Sequence, residues 1–325
     1  MGSAALETIA PGRRRFAPGT WIVGHWLQRA WPGRIRQSLR AWVLSVLLLS
    51  SVGTLLAETP SVSARQHDNR KAKATTSAAA RRSAIRSIPF DKLSDEAGGK
   101  AAEVVRNTTV FRRLPLQVID CNPDLYVFLT ENPDLVVDIW EVLGVSQVAL
   151  SRTGQTTFDA TDGSGTFGKI EYLYKSHDTH VIYCEGTYEG KLFQRPVQGK
   201  CLLVLKSAYV RETNDRYYIT CRLDTFVALD HLGAEVLVKT FQPLIGNSAD
   251  YNFLETTAFM ASMSRTAEVN PAGVSRLASR LDGVSRDAME QFVMLCDKIH
   301  IDAAAAQTAA RASHEGHRPP RPVRR

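Results

Sequence analysis

"RYYITCRLDTFVALD" (Arg216–Asp230) places Tyr217, Ile219, Cys221, Leu223, Val227 and Leu229 on alternate positions, with Arg216, Tyr218, Thr220, Arg222, Asp224 and Asp230 mostly filling the gaps. Successive side chains of a strand point to opposite faces, so a period of two predicts a strand with one face inward and one toward water. Upstream, "VSQVALSR", "TTFDATD", "FGKIEYLYK", "THVIYCEGTYEG" and "VQGKCLLVLKSAYVRE" share that texture. Turn residues break them at Thr153-Gly154, at the Gly163 "GSG", at the Ser176 "SHD", over "KLFQRP" from Lys191, and at Asn214-Asp215. Connections this short force hairpins, which predicts six antiparallel strands in a meander.

The elements on either side of the meander complete the order. "TVFRRLPLQVI" (Thr109–Ile119) reads as a first strand in which Pro115 marks an edge or a bulge. Two similar segments follow, "NPDLYVFL" from Asn122 and "NPDLVVDIWEVLG" from Asn132. In each, Asn suits the helix cap, Pro the first helical position and Asp the positive end of the dipole. Leu135, Val136, Ile139, Trp140 and Leu143 form the apolar face of the second helix, and Gly144 ends it. After the meander, residues 233–268 carry a helical period, with Pro243 and Gly246-Asn247 predicted to kink or split it. A further helix is predicted over Ala272–Ile299.

The fold class is therefore α+β: a curved antiparallel sheet of six or seven strands, two short helices after its first strand, and a long helix to cover its apolar face. This order resembles the helix-grip fold of the START and polyketide-cyclase-like superfamily over about residues 105–266, with "NPDLVVDIWEVLG" standing where such proteins carry their second short helix. The resemblance implies a sheet that grips the long C-terminal helix and encloses a cavity for an apolar ligand. The helix after Pro271 is an addition to that pattern.

Charge and composition divide the chain. Residues 1–100 hold 16 Lys+Arg against 6 Asp+Glu, whereas residues 101–300 hold 19 against 25. The basic balance belongs to the ends, so the folding part lacks the cationic face that phosphate binding needs, and nucleic acid is not an expected partner. "AWVLSVLLLSSVGTLLA" (Ala41–Ala57) is uncharged and follows Arg34, Arg36 and Arg40. Residues 1–57 therefore read as a secretory signal cleaved near Ala57 or as an uncleaved membrane anchor. Residues 58–87 read as a disordered basic linker, 88–299 as one domain and 300–325 as a disordered Ala/Pro/Arg tail. Export would place the five cysteines where disulfides form.

Candidate sites are few. His177, Asp178, His180 and Cys184 crowd "SHDTHVIYCEGTYEG" (Ser176–Gly190), but His180 and Cys184 lie four strand residues apart, about 13 Å at 3.3 Å each. That span exceeds what one zinc ion bridges, so no metal is expected. Cys184 has another partner. If Glu189 lies opposite Pro196, Cys201 faces Cys184 directly, which leaves a disulfide or two buried thiols. Gly163, Gly165 and Gly168 spell G-x-G-x-x-G between strands rather than before a helix, the wrong context for a nucleotide. Glu171, Glu185, Arg222 and Asp224 read as cross-strand polar pairs.

The functional expectation is an exported, non-enzymatic protein that holds a hydrophobic or lipid-like ligand between sheet and long helix, with no cofactor. Its wall is expected from Tyr172, Tyr174, Ile182, Tyr217, Ile219, Leu223, Leu237, Phe241 and Phe259. The alternative is a solid-cored envelope scaffold that acts by protein contact, its basic ends touching anionic surfaces. A lyase or cyclase in the same cavity is a third reading, disfavoured because no acid/base pair stands out.

Overall fold

The computed structural model describes residues 73–163, 165–189, 196–230 and 242–316. The expected signal or anchor, and the first half of the expected linker, residues 58–72, lie outside them. No helix among the described residues is long and apolar enough to cross a membrane.

The meander is present as six antiparallel strands: β3 (Ala149–Arg152), β4 (Thr157–Thr161), β5 (Thr166–Lys175), β6 (Thr179–Tyr188), β7 (Val197–Arg211) and β8 (Tyr217–Leu229). The expected first strand divides into β1 (Val110–Arg113) and β2 (Gln117–Asp120). Pro115 has no N–H to give the ladder, and the chain steps aside there; both pieces nonetheless pair antiparallel with β8. The sheet therefore has eight strands in the order β1-β8-β7-β6-β5-β4-β3, with β2 beside β1 on β8.

Two short helices follow β2: α3 (Pro123–Glu131) and α4 (Pro133–Val142). Asn122 caps α3, accepting from the Leu125 N–H at 3.2 Å. Asn132 behaves differently from the expectation. Its amide nitrogen donates back to the Phe128 carbonyl and its oxygen accepts from Arg152, so it closes α3 rather than capping α4. Gly144, at φ +67°, ends α4 as expected.

The main departure is on the other face of the sheet, which is covered and not turned to water. Helix α1 (Ala78–Arg86), inside the stretch expected to be disordered, and α2 (Asp95–Arg106) pack there. Ala80, Ala84, Ile88, Ala101 and Val104 meet Val181, Tyr183, Leu202, Val204 and Phe226. Ser77 and Ser94 cap the two helices. The sheet is thus a middle layer, which explains the unbroken apolar runs "CLLVL" in β7 and "FVAL" in β8: a strand buried on both faces does not alternate.

After the meander, α5 (Gln242–Val269) runs without a break. Pro243 is its second residue, where the missing N–H costs nothing, and the expected kink at Gly246-Asn247 is absent from the helix assignment. Two ion pairs tie α5 to the sheet: Arg112 of β1 to Asp250, and Arg216, just before β8, to Glu268. The single helix expected over Ala272–Ile299 is two, α6 (Pro271–Ala278) and α7 (Arg286–Gly316). Between them the Gly283 N–H donates to the buried Asp138 carboxylate of α4 at 2.9 Å, pinning the break. Helix α7 carries on through much of the expected disordered tail.

Candidate functional site

Between the sheet, α3, α4 and α5 lies a cavity of about 190 Å³ whose wall is almost wholly apolar. Strand register explains the sheet side. One row across the strands is Tyr172, Ile182, Leu203 and Thr225; the next is Phe158, Ile170, Cys184, Cys201 and Val227. The third is Ala160, Gly168, Gly186 and Gly199. Of that row Ala160 and Gly168 line the cavity and leave the wall low there, whereas Gly186 and Gly199 line a separate pocket with Lys200 and Asp230. A Cβ on Gly168 would sit 3.1 Å from the Glu185 carbonyl oxygen, a tight approach that favours glycine here. Leu129, Val136, Val137 and Trp140 close the cavity from α3 and α4, and Asn252, Phe253, Thr256 and Met260 from α5.

Of the expected wall residues, Tyr172, Ile182 and Leu223 line the cavity. Ile219 and Phe259 are buried but lie off the lining, Phe259 with its ring edge-on to Trp140 at 5.6 Å. Tyr174 is a correction. A bulge between Tyr172 and Tyr174 shifts the register, so Tyr174 pairs with Val181 and packs against the α1/α2 core on the opposite face. Tyr217 is a second correction: it sits at the start of β8, 37% exposed. Leu237 and Phe241 lie outside the described residues. Ile170, Leu203 and Leu205 also line the cavity; Leu203, between Leu202 and Val204, carries no alternation signal, whereas Ile170, between Lys169 and Glu171, does. Val136 and Trp140 carried a signal, the 3–4 spacing of the α4 apolar face.

The cysteine register is as expected: Cys184 faces Cys201 across β6 and β7. Both are buried free thiols in this structure, and burial pushes Cys184 up to about 12 and Cys201 well above the ordinary thiol value. No group of three or more metal-ligating side chains occurs among the described residues. His177 and Asp178 occupy the β5–β6 turn, where Ser176 Oγ and Thr179 Oγ1 donate to the Asp178 carboxylate. His180 is fully buried, edge-on to Tyr172, with Nε2 3.4 Å from a Glu131 oxygen; desolvation holds its pKa below the ordinary value. Gly163 and Gly165 form a hairpin turn at positive φ, closed by Asp162 accepting from the Thr166 N–H and Oγ1.

Two charged residues touch the cavity, Lys169 and Glu185, register partners on β5 and β6. Glu171 is bound by Lys100 of α2, and Glu185 by the Tyr183 hydroxyl, on the face covered by α1 and α2. Fully buried Asp224 is held by a two-pronged bond from Arg113, with Arg222 at 3.6 Å. The polar side chains at the α3 end of the cavity are satisfied within the protein: Tyr172 donates to the Thr130 carbonyl, and Tyr126 bonds Ser207. No protein-family model matches the chain, and no curated protein matches it.

Proposed function

We propose that this chain is a non-enzymatic binding protein that holds a small hydrophobic molecule between its sheet and α5. The carrying observation is the unfilled apolar cavity of about 190 Å³. Protein interiors normally pack as densely as organic crystals, and an apolar cavity of about 150 Å³ stays dry and accepts benzene. This volume suits one ring or a short acyl segment; a whole membrane lipid would need more space than the cavity offers. The helix-grip reading agrees with the position of the cavity between a meander and the helix that follows it. Export, by signal or anchor, belongs to the same proposal and rests on residues 1–57 alone.

The test is native mass spectrometry and organic extraction of the purified full chain, followed by titration with a ring-sized apolar probe such as toluene. Co-purified or added ligand at one site per chain supports the reading. Neither a co-purifying molecule nor saturable probe binding would leave the scaffold reading in its place.

A further inference from the structure

Resting on that binding reading, we infer that the ligand carries one uncharged hydrogen-bonding group, a hydroxyl or a carbonyl, which α5 recognises through Thr256, beside Asn252. Both residues line the cavity, and a spacing of four sets them on one face of the helix. Asn252 is 2% exposed. The Thr256 hydroxyl oxygen is buried and has no hydrogen-bond partner in the structure. One residue further on, Thr257 satisfies its own hydroxyl by donating to the Phe253 and Leu254 carbonyls. Thr256 makes no such bond.

A buried hydroxyl without a partner calls for an explanation, and a ligand group that supplies the bond is one. The Thr256 hydroxyl can both donate and accept, so hydroxyl and carbonyl ligands both fit. A carboxylate or ammonium does not. The cavity wall is almost wholly apolar; of the two charged residues that touch it, Glu185 is engaged with Tyr183 and Lys169 is its direct ladder partner, on the sheet face turned away from the cavity, so an ionised group would go uncompensated. The ligand class is therefore a ring-sized apolar alcohol, phenol or ketone.

Calorimetric titration of the full chain with toluene and p-cresol separates the outcomes. In a purely apolar void the cresol hydroxyl goes unpaired and weakens binding roughly 10- to 100-fold relative to toluene. With Thr256 as partner, p-cresol binds at least as tightly as toluene. Thr256→Val keeps the shape and removes the hydroxyl; it should weaken p-cresol roughly tenfold and leave toluene unchanged. Toluene binding well ahead of p-cresol in the wild type, or a cresol preference that survives Thr256→Val, overturns the inference while the binding reading stands. Binding of neither probe overturns both.

Discussion

Filling the cavity should stabilise the protein and abolish binding together. Ala249 lines the cavity from α5, and Leu is nearly as good a helix former as Ala, so Ala249→Leu adds three carbons to the void at little backbone cost. At about 0.8 kcal/mol per buried carbon the gain is about 2.4 kcal/mol. The void bounds this from above. At roughly 24 cal/mol per Å³, an unfilled 190 Å³ costs about 4.6 kcal/mol, so about half of it is recovered. The assay is urea denaturation followed by tryptophan fluorescence. A slope of roughly 2–3 kcal/mol per M converts the gain into a midpoint shift of about 1 M, with the slope unchanged. Thermal melts should rise by roughly 5–10 °C. In the same variant the toluene titration should go flat. A well-packed site gives the opposite sign, because overpacking costs about 1–3 kcal/mol. A destabilised Ala249→Leu that still binds toluene would refute the reasoning that this space is free and is the ligand site.

Three further outcomes follow from the polar groups. Arg113→Met leaves Asp224 without its main partner at zero exposure and should cost about 3–5 kcal/mol by denaturation, whereas Arg113→Met with Asp224→Leu should recover much of that. All five described cysteines are buried, with Cys184, Cys221 and Cys296 pushed up to about 12 by burial. Iodoacetamide at pH 7.5 should therefore leave the native chain unmodified by mass and add five groups once it is unfolded. His180 has a folded pKa below its unfolded value near 6.5, because burial outweighs the opposing pull of Glu131. Its contribution to stability is thus complete above that unfolded value and is lost as the pH falls through the folded pKa. Between pH 7.5 and 5 the wild type should lose more stability than His180→Gln; equal losses would show that the ring does not titrate on unfolding.

The sheet was readable because hairpins are local. Four of the five turns were marked by Gly, Asn or Asp and the fifth by Pro196, and each strand by its period, so all six meander strands lie where the pattern put them. The helices α1 and α2 were harder to read. Their contact faces are built from alanine, and in "ATTSAAARRSAIRS" that looks like low complexity until Ser77 is seen as a cap and Ala80, Ala84 and Ile88 as one face. Small side chains allow close approach of helix to sheet, and the same smallness hides them from any search for large apolar residues. The break between α6 and α7 was hidden for a different reason. It depends on Asp138, far away in the chain, receiving the Gly283 N–H, and no local pattern reports a tertiary bond.

The cavity illustrates the boundary between the two kinds of information. Opposing Glu189 and Pro196 sets Cys184 against Cys201 and Ile182 against Leu203, and both pairs occur, so part of the wall follows from counting. Tyr174 breaks the count because one extra residue, Leu173, enters the β5–β6 ladder and turns everything beyond it to the other face. On the sheet side the cavity wall is lowest at Ala160 and Gly168, paired neighbours on β4 and β5. Read along the chain, Gly168 is a weak spot in its own strand. Read across the register, it lies beside Ala160, and the pair leaves that part of the wall without a large side chain. Space for a ligand is therefore a property of the pairing, and it becomes visible only when the strands are laid beside one another.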